Sequence, residues 1–173
     1  MRKVISRRLA VLFIGPIFFV LAGCSSVLGG GGVEEASDVS VGECVSVKDA
    51  SDGKVKPSKA DCDGSSEFTF YVASKLSSSQ SCSGSLSTLT FEKGDEKVCL
   101  APNLASDKCY QLPTGEGGGL PDFAAVECGA TPSGKTVIAK VDTRGTADAE
   151  CASGQQALTF TEPKSIGYCL TIQ

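Results

Sequence analysis

The sequence predicts an α+β fold that is predominantly antiparallel β. It comprises two tandem homologous units stapled by disulfides, each of about five short strands with one short helix or loop at its third cysteine. Three observations predict it. Cysteines at 44, 62, 82 and 99 are answered by cysteines at 109, 128, 151 and 169, with offsets of 65, 66, 69 and 70 residues. The residues around them match as well. Leu89-Thr90-Phe91 and Leu158-Thr159-Phe160 follow the third cysteine of each set, Val98-Cys99-Leu100 answers Tyr168-Cys169-Leu170, and Val72-Ala73 lies as far beyond Cys62 as Ile138-Ala139 beyond Cys128. Finally, the segments between cysteines alternate apolar and polar residues and break at glycine-rich turns, which is strand and hairpin patterning. A repeat of this length is read first because it sets the architecture.

Residues 1–23 read as a signal peptide. Arg2, Lys3, Arg7 and Arg8 precede an apolar run from Leu9 to Ala22, which is too short for a comfortable membrane span. Leu21-Ala22-Gly23-Cys24 matches the bacterial lipobox, in which the cysteine is acylated and the chain is cut before it. Eight other cysteines pair evenly, so Cys24 is the odd one, assigned to lipidation. Two acyl chains on it suffice for stable membrane anchoring. Ser6-Arg7-Arg8 raises twin-arginine export, but Ala10 and Val11 lack the bulk that signal wants, and a disulfide-bearing chain is better exported unfolded. With the signal removed, 12 basic residues face 20 acidic ones, a net of −8. Such a surface repels phosphate backbones, which excludes nucleic acid as a partner, and it has no attraction for anionic headgroups.

Residues 24–40, rich in Gly, Ser and acids, read as the lipidated cysteine and a flexible tether. The first four-cysteine unit is assigned to residues 41–103 and the second to 104–173. Units of this size are marginal on core burial alone, so bridges and mutual packing are the expected remedy. Val41 to Lys48, the turn Ser51-Asp52-Gly53 and Lys54 to Cys62 form a hairpin. Phe68, Phe70 and Val72 alternate with Thr69, Tyr71 and Ala73 as a third strand with one apolar face, and Lys135 to Val141 is its counterpart. Thr146 to Leu158 is poor in β-branched residues and predicts a short helix capped by Thr146, while Ser77 to Leu86 is only weakly helical. Two further strands follow in each unit, with turns at Lys93 to Glu96 and Pro163-Lys164.

Eight cysteines allow 105 connectivities, and sequence alone does not choose among them. Hairpin geometry favours Cys44 with Cys62, whose midpoint falls on Asp52-Gly53, and Cys109 with Cys128, whose midpoint falls inside Gly115-Glu116-Gly117-Gly118-Gly119. By elimination Cys82 pairs with Cys99 and Cys151 with Cys169.

Little in the chain points to catalysis or to a cofactor. Gly129-Ala130-Thr131-Pro132-Ser133-Gly134-Lys135-Thr136 fits the Walker A pattern, but the β-prone Val137 to Val141 stands where a phosphate cradle needs a helix, so no nucleotide is expected. Histidine is absent, which removes the usual general base and commonest metal ligand. The cysteines lack the close pairs of zinc sites and fit disulfides outside the cytoplasm. Asp61 and Asp63 flank Cys62 as calcium candidates, though no loop of alternating acids surrounds them and solvated charges are the plainer reading.

Together, the lipobox, tether and doubled four-cysteine unit resemble the LppU-type lipoproteins of actinobacteria. The likeness rests on Gly42-Glu43-Cys44-Val45, Lys59-Ala60-Asp61-Cys62 and Val98-Cys99-Leu100, and covers Cys24 to Gln173. Glu43 and Asp107-Lys108-Cys109 depart from the family's Gly-Asp-Cys opening. The half-unit also looks like the domain named for septum formation in the same bacteria. Neither resemblance implies a catalytic residue. The expected role is a binding or interaction module of the cell envelope, on the outer face of the cytoplasmic membrane, engaging an envelope protein or a small ligand. A carboxylate-dependent envelope hydrolase or transferase using Glu67, Glu92 or Glu127 is the alternative, and a spacer without ligand is the third reading.

Overall fold

The computed structural model describes residues 31–49, 54–63, 67–115 and 119–173. The signal segment, the lipobox with Cys24 and the turn Ser51-Asp52-Gly53 lie outside them, as do residues 116–118 of the second glycine turn. The fold is almost entirely antiparallel β. Strands β1 (Cys44–Asp49), β2 (Val55–Ala60), β3 (Thr69–Ser77), β4 (Ser87–Thr90) and β5 (Glu96–Asn103) form sheet A in the order β2-β1-β3-β5-β4. Strands β6 (Cys109–Pro113), β7 (Ala124–Val126), β8 (Thr136–Gly145), β9 (Gln156–Phe160) and β10 (Ile166–Ile172) form sheet B in the order β7-β6-β8-β10-β9. The two orders are the same when each sheet is counted from its own first strand.

The correspondence extends to single residues. Cys44 faces Ala60 and Cys109 faces Val126, and each is bridged to the cysteine two residues further on, Cys62 and Cys128. Cys99 faces Thr88 and Cys169 faces Ala157, and each is bridged to the cysteine six residues earlier, Cys82 and Cys151. Every bridge thus stays within its own sheet. The hairpin centres lie one residue before the positions expected if the cysteines faced each other directly.

Each long strand pair carries one bulge beside the fourth cysteine, with Ala73 as the extra residue in β3 and Asp142 in β8. Ahead of β1, Gly42 takes φ +92 and its N–H donates to the Val72 carbonyl at 2.8 Å. Ahead of β6, Asp107 takes φ +60 and donates to Val141, also at 2.8 Å. Aspartate is one of the few side chains that tolerates this left-handed backbone, so the departure from the Gly-Asp-Cys opening keeps its geometry.

Strand register corrects one sequence match. Cys44 faces Tyr71 and Cys109 faces Lys140, so Val72 corresponds to Val141 and not to Ile138. The connection after Cys128 is three residues longer than that after Cys62, and counting from the cysteines hides the insertion.

Packing is head-to-tail. One face of sheet A, with Val45, Phe70, Val72, Val98 and Leu100, buries itself against Val33, Ala36, Val39 and Leu120. The corresponding face of sheet B, with Tyr110, Ala139, Val141, Tyr168 and Leu170, packs on the reverse face of sheet A, against Cys44, Tyr71, Ala73 and Ala101. Strand β3 is therefore buried on both faces, where one apolar face was expected. The linker is held between the sheets. Leu104 is fully buried, and its N–H donates to the Tyr168 hydroxyl at 3.2 Å. That hydroxyl donates in turn to the Pro102 carbonyl at 3.0 Å, and the Ala105 N–H donates to the Tyr110 hydroxyl at 2.9 Å. Burial raises the Tyr168 phenol above its ordinary pKa, against the lowering effect of its bond from Leu104.

One expectation fails and another is narrowed. Residues 31–40 do not behave as tether. Gly32 bridges Ser58 on the β2 edge, and Val33, Ala36 and Val39 are 4%, 3% and 1% exposed. Their spacing of three residues suits the 3-10 turn at Ala36–Asp38, whose Asp38 carboxylate accepts the N–H groups of Glu34 and Glu35. Those two bonds hold the Asp38 carboxyl below the usual range. Of the short helix or loop expected at the third cysteine, Thr146 to Gln155 takes the loop. Short turns close at Thr146–Ala149 and Ala152–Gln155, Gly154 sits at φ +88, and β9 begins at Gln156. A helix of that length is marginal without an apolar stripe, and the bridge from Cys151 to Cys169 together with a left-handed glycine decides against it.

Candidate functional site

Sheets A and B part company at one end of their shared interface, and the gap is a groove of about 940 Å³. That is near the upper end of the ~300–1,000 Å³ usual for ligand clefts. Its floor is the end of sheet B's packed face, with Leu112, Val137, Leu170 and Ile172. Over it stand Leu120 and Phe123, delivered by the 3-10 turn Leu120–Asp122, which reaches from the β6–β7 connection to sheet A. Phe123 is fixed by edge contact with Phe70, ring centres 5.1 Å apart. The sides are the approach to β4, Gly84 to Thr88, and the first residues of β9. Among the described residues that line the groove there is no Asp, Glu, Lys or Arg, in a chain in which these make up 21% of residues. Polar groups are limited to neutral ones such as Ser85, Ser87, Thr114 and Gln156. Chemically this lining suits uncharged, largely apolar matter, because an ion brought to the described residues would lose its hydration without a counter-charge.

A second groove, about 650 Å³, collects the charges that the first lacks: Asp63, Glu67 and Glu127 with Lys108 and Arg144. Two of the three carboxylates named for a hydrolase, Glu67 and Glu127, therefore share one groove. Glu67 is paired with Lys48 at 2.6 Å, and Glu127 is exposed. Glu92 lies elsewhere, paired with Lys54. Arg144 is committed to structure, donating to the Leu104 carbonyl at 3.1 Å and the Tyr71 hydroxyl at 2.8 Å.

A third polar feature lies on the reverse face of sheet B. There the Asp142 carboxylate accepts from Thr171 Oγ1, from Gln155 Nε2 at 2.8 Å and from Lys140 Nζ at 3.0 Å. The Thr171 bond first, then the Lys140 bond, holds its carboxyl below the usual range.

The eight cysteines named from sequence are all in disulfides, and Cys24 lies outside the described residues. The Walker-like loop leads into strand β8, so no helix N-terminus faces it. The loop is tied down instead, with Ser133 donating to the Gln111 side chain and Lys135 O accepting from Thr114. Asp61 and Asp63 flank a bridged cysteine, and no three metal-ligating side chains gather among the described residues. None of the described helices is long and apolar enough to cross a membrane. Sequence reasoning missed the groove residues. The available signals were Leu86, alone in a serine-rich run, and Ile172, a large apolar residue 37% exposed near the end of the chain. No family model, curated protein or solved structure matches the chain.

Proposed function

We propose that this protein is an extracytoplasmic lipoprotein, exported by its first 23 residues, lipidated at Cys24, and acting as a binding module in a bacterial cell envelope. The observation that carries the reading is the groove between the sheets, whose described lining has no charged residue. Exposed apolar concavities of that kind mark binding sites on otherwise charged surfaces. Four disulfides support the compartment, because such bonds persist in oxidising surroundings. Shared strand order, bulge position and bridge offsets support a tandem duplication of one unit, in keeping with the resemblance to LppU-type lipoproteins and the septum-formation domain. A membrane tether keeps the groove near envelope partners.

Photo-crosslinking in living cells, from a reactive side chain installed at Leu158, tests the reading. The expected result is one or a few specific adducts, protein or small molecule, that vanish when Leu112 is replaced by Asp. Absence of any specific adduct, together with turnover of a cell-wall substrate by the pure protein that Glu127→Gln abolishes, would replace binding with hydrolysis. Globomycin treatment and Cys24→Ala test the anchor, and both should leave the protein uncleaved or unlipidated while its fold persists.

A further inference from the structure

The floor of the groove is the packed face of sheet B, with Leu112 of β6, Val137 of β8, Leu158 of β9 and Ile172 of β10. The matched registers of the two sheets give each of these a counterpart in sheet A. Aligning Cys109 with Cys44 and Cys169 with Cys99, together with the residues that face them, pairs Leu112 with Val47, Val137 with Phe68, Leu158 with Leu89 and Ile172 with Pro102. Toward β9 and β10 the two sets differ in cover. Leu89 and Pro102 are fully buried, whereas Leu158 is half-buried and Ile172 is 37% exposed.

The cover over sheet A is a piece of the other unit. The 3-10 turn Leu120–Asp122 lies against β1 and β4, the counterparts of β6 and β9. Leu120 packs in the cluster that holds Val47, Phe68 and Leu89, and the Phe123 ring stands 5.5 Å from that of Phe68. The groove is therefore the counterpart, in sheet B, of the seat that this turn fills in sheet A. The turn in the first seat comes from the hairpin of the following unit, and among the described residues no further hairpin reaches the second.

We propose that the groove takes an apolar turn of a partner protein, presenting a leucine and a phenylalanine three residues apart, seated on sheet B as Leu120 and Phe123 are seated on sheet A. The proposal rests on the binding reading above and names its ligand class. The equivalent seat is filled by a short turn of polypeptide, which favours that class over a strand or an acyl chain. Charge complementarity agrees, since the described lining is as uncharged as the two anchoring side chains. Ser85 and Gln156, both exposed on the lining, offer neutral partners to the backbone of a turn, which a hydrocarbon cannot use. A second copy is a poor source, because its Leu120 is already buried against its own sheet A.

The test uses the full chain in lipid nanodiscs and a fluorescein-labelled, backbone-cyclised peptide carrying Gly-Leu-Pro-Asp-Phe. Twins of the peptide carry Ser for Leu, Ser for Phe, or the same residues in scrambled linear order, and palmitate serves as competitor. The expected result is saturable binding by anisotropy, weakened at least about tenfold by either serine and by scrambling. Ile172→Asp, at an exposed position and with an unchanged circular dichroism spectrum, should abolish it. Bound peptide should shift the methyl resonances of Leu112, Leu158 and Ile172 and leave those of Val47 and Leu89 unmoved. Shifts at Val47 and Leu89 instead would mean that the peptide displaces the chain's own turn, and they overturn the proposal. Equal binding of the scrambled peptide overturns turn recognition, and a dimer in sedimentation velocity that Ile172→Asp dissolves assigns the groove to a second copy. Binding of palmitate but not of peptide also overturns the proposal while leaving the groove a binding site. If neither binds, the proposal falls, and the cellular crosslinking decides separately whether the module binds anything.

Discussion

Sheets A and B have the same strand order, bulges and bridge positions, yet their reverse faces have opposite fates. In sheet A that face carries Tyr71, Ala73 and Ala101 and is buried under sheet B. In sheet B the same positions carry Lys140, Asp142 and Thr171, and Lys140 and Asp142 pair at 3.0 Å. A head-to-tail stack does not close on itself, so its last reverse face would accept another unit and grow into a fibre. Charges at two positions end the stack. Sheets of the same strand order can thus be an internal or a terminal layer, depending on a few side chains.

The most damaging way to break this comparison is to give sheet A the residue of sheet B. Ala73→Asp would bury a carboxylate at a site 2% exposed and should cost about 4 kcal/mol or more, read as a collapse of the urea midpoint. Retained stability would show that the sheets do not pack through this face. The reciprocal Lys140→Tyr with Asp142→Ala should leave the monomer folded but make it self-associate in sedimentation velocity.

Removing bridges sharpens the contrast. Replacing Cys44 and Cys62 by Ala should cost about 2–5 kcal/mol, and more than replacing Cys109 and Cys128, because Cys44 also fills the core between the sheets. Chemical denaturation of the two double variants decides it; equal losses would mean that only loop closure matters.

Tyr168→Phe removes a buried hydroxyl that serves both Leu104 and Pro102, at about 1–3 kcal/mol. The same phenol predicts the alkaline limit. Its folded pKa is raised, so its contribution is full below pH about 10, where the free phenol titrates, and is lost as pH rises through the folded value. The Phe variant should lack that part of the alkaline transition. Asp142 has the opposite sign: its depressed carboxyl stabilises above pH about 4 and the effect fades as pH falls through the folded value, which Asp142→Asn should flatten in acid titrations.

The smallest effect concerns the matched turns. Gly42→Ala meets no neighbouring atom and should cost about 1 kcal/mol from its left-handed backbone alone, whereas Asp107→Gly should be neutral or slightly stabilising in thermal melts. Equal shifts would show that the turns are not equivalent.

Much of the fold is legible in the amino-acid sequence. Cysteine spacing, glycine turns and alternation are local signals, and they point to an antiparallel β chain with Cys44–Cys62, Cys82–Cys99, Cys109–Cys128 and Cys151–Cys169 bridges. The candidate site is not legible there. Leu86, Leu112, Leu158 and Ile172 come from four separate segments, and no period links them.

By itself, then, the sequence determined what short-range chemistry controls: strand periodicity, where the chain turns, and which cysteine pairings a hairpin favours. Tertiary structure alone decided which face each sheet covers, because Tyr71 and Ala73 read as a second apolar face only once sheet B is seated on them. It also drew Val33, Ala36 and Val39 out of a glycine-rich tether, since their burial needs a sheet that the chain builds later. Likewise it made Thr146 to Gln155 a looped approach to β9, where Ala-rich composition favoured a helix, because the bridge to Cys169 and pairing with β10 outweigh a weak local propensity.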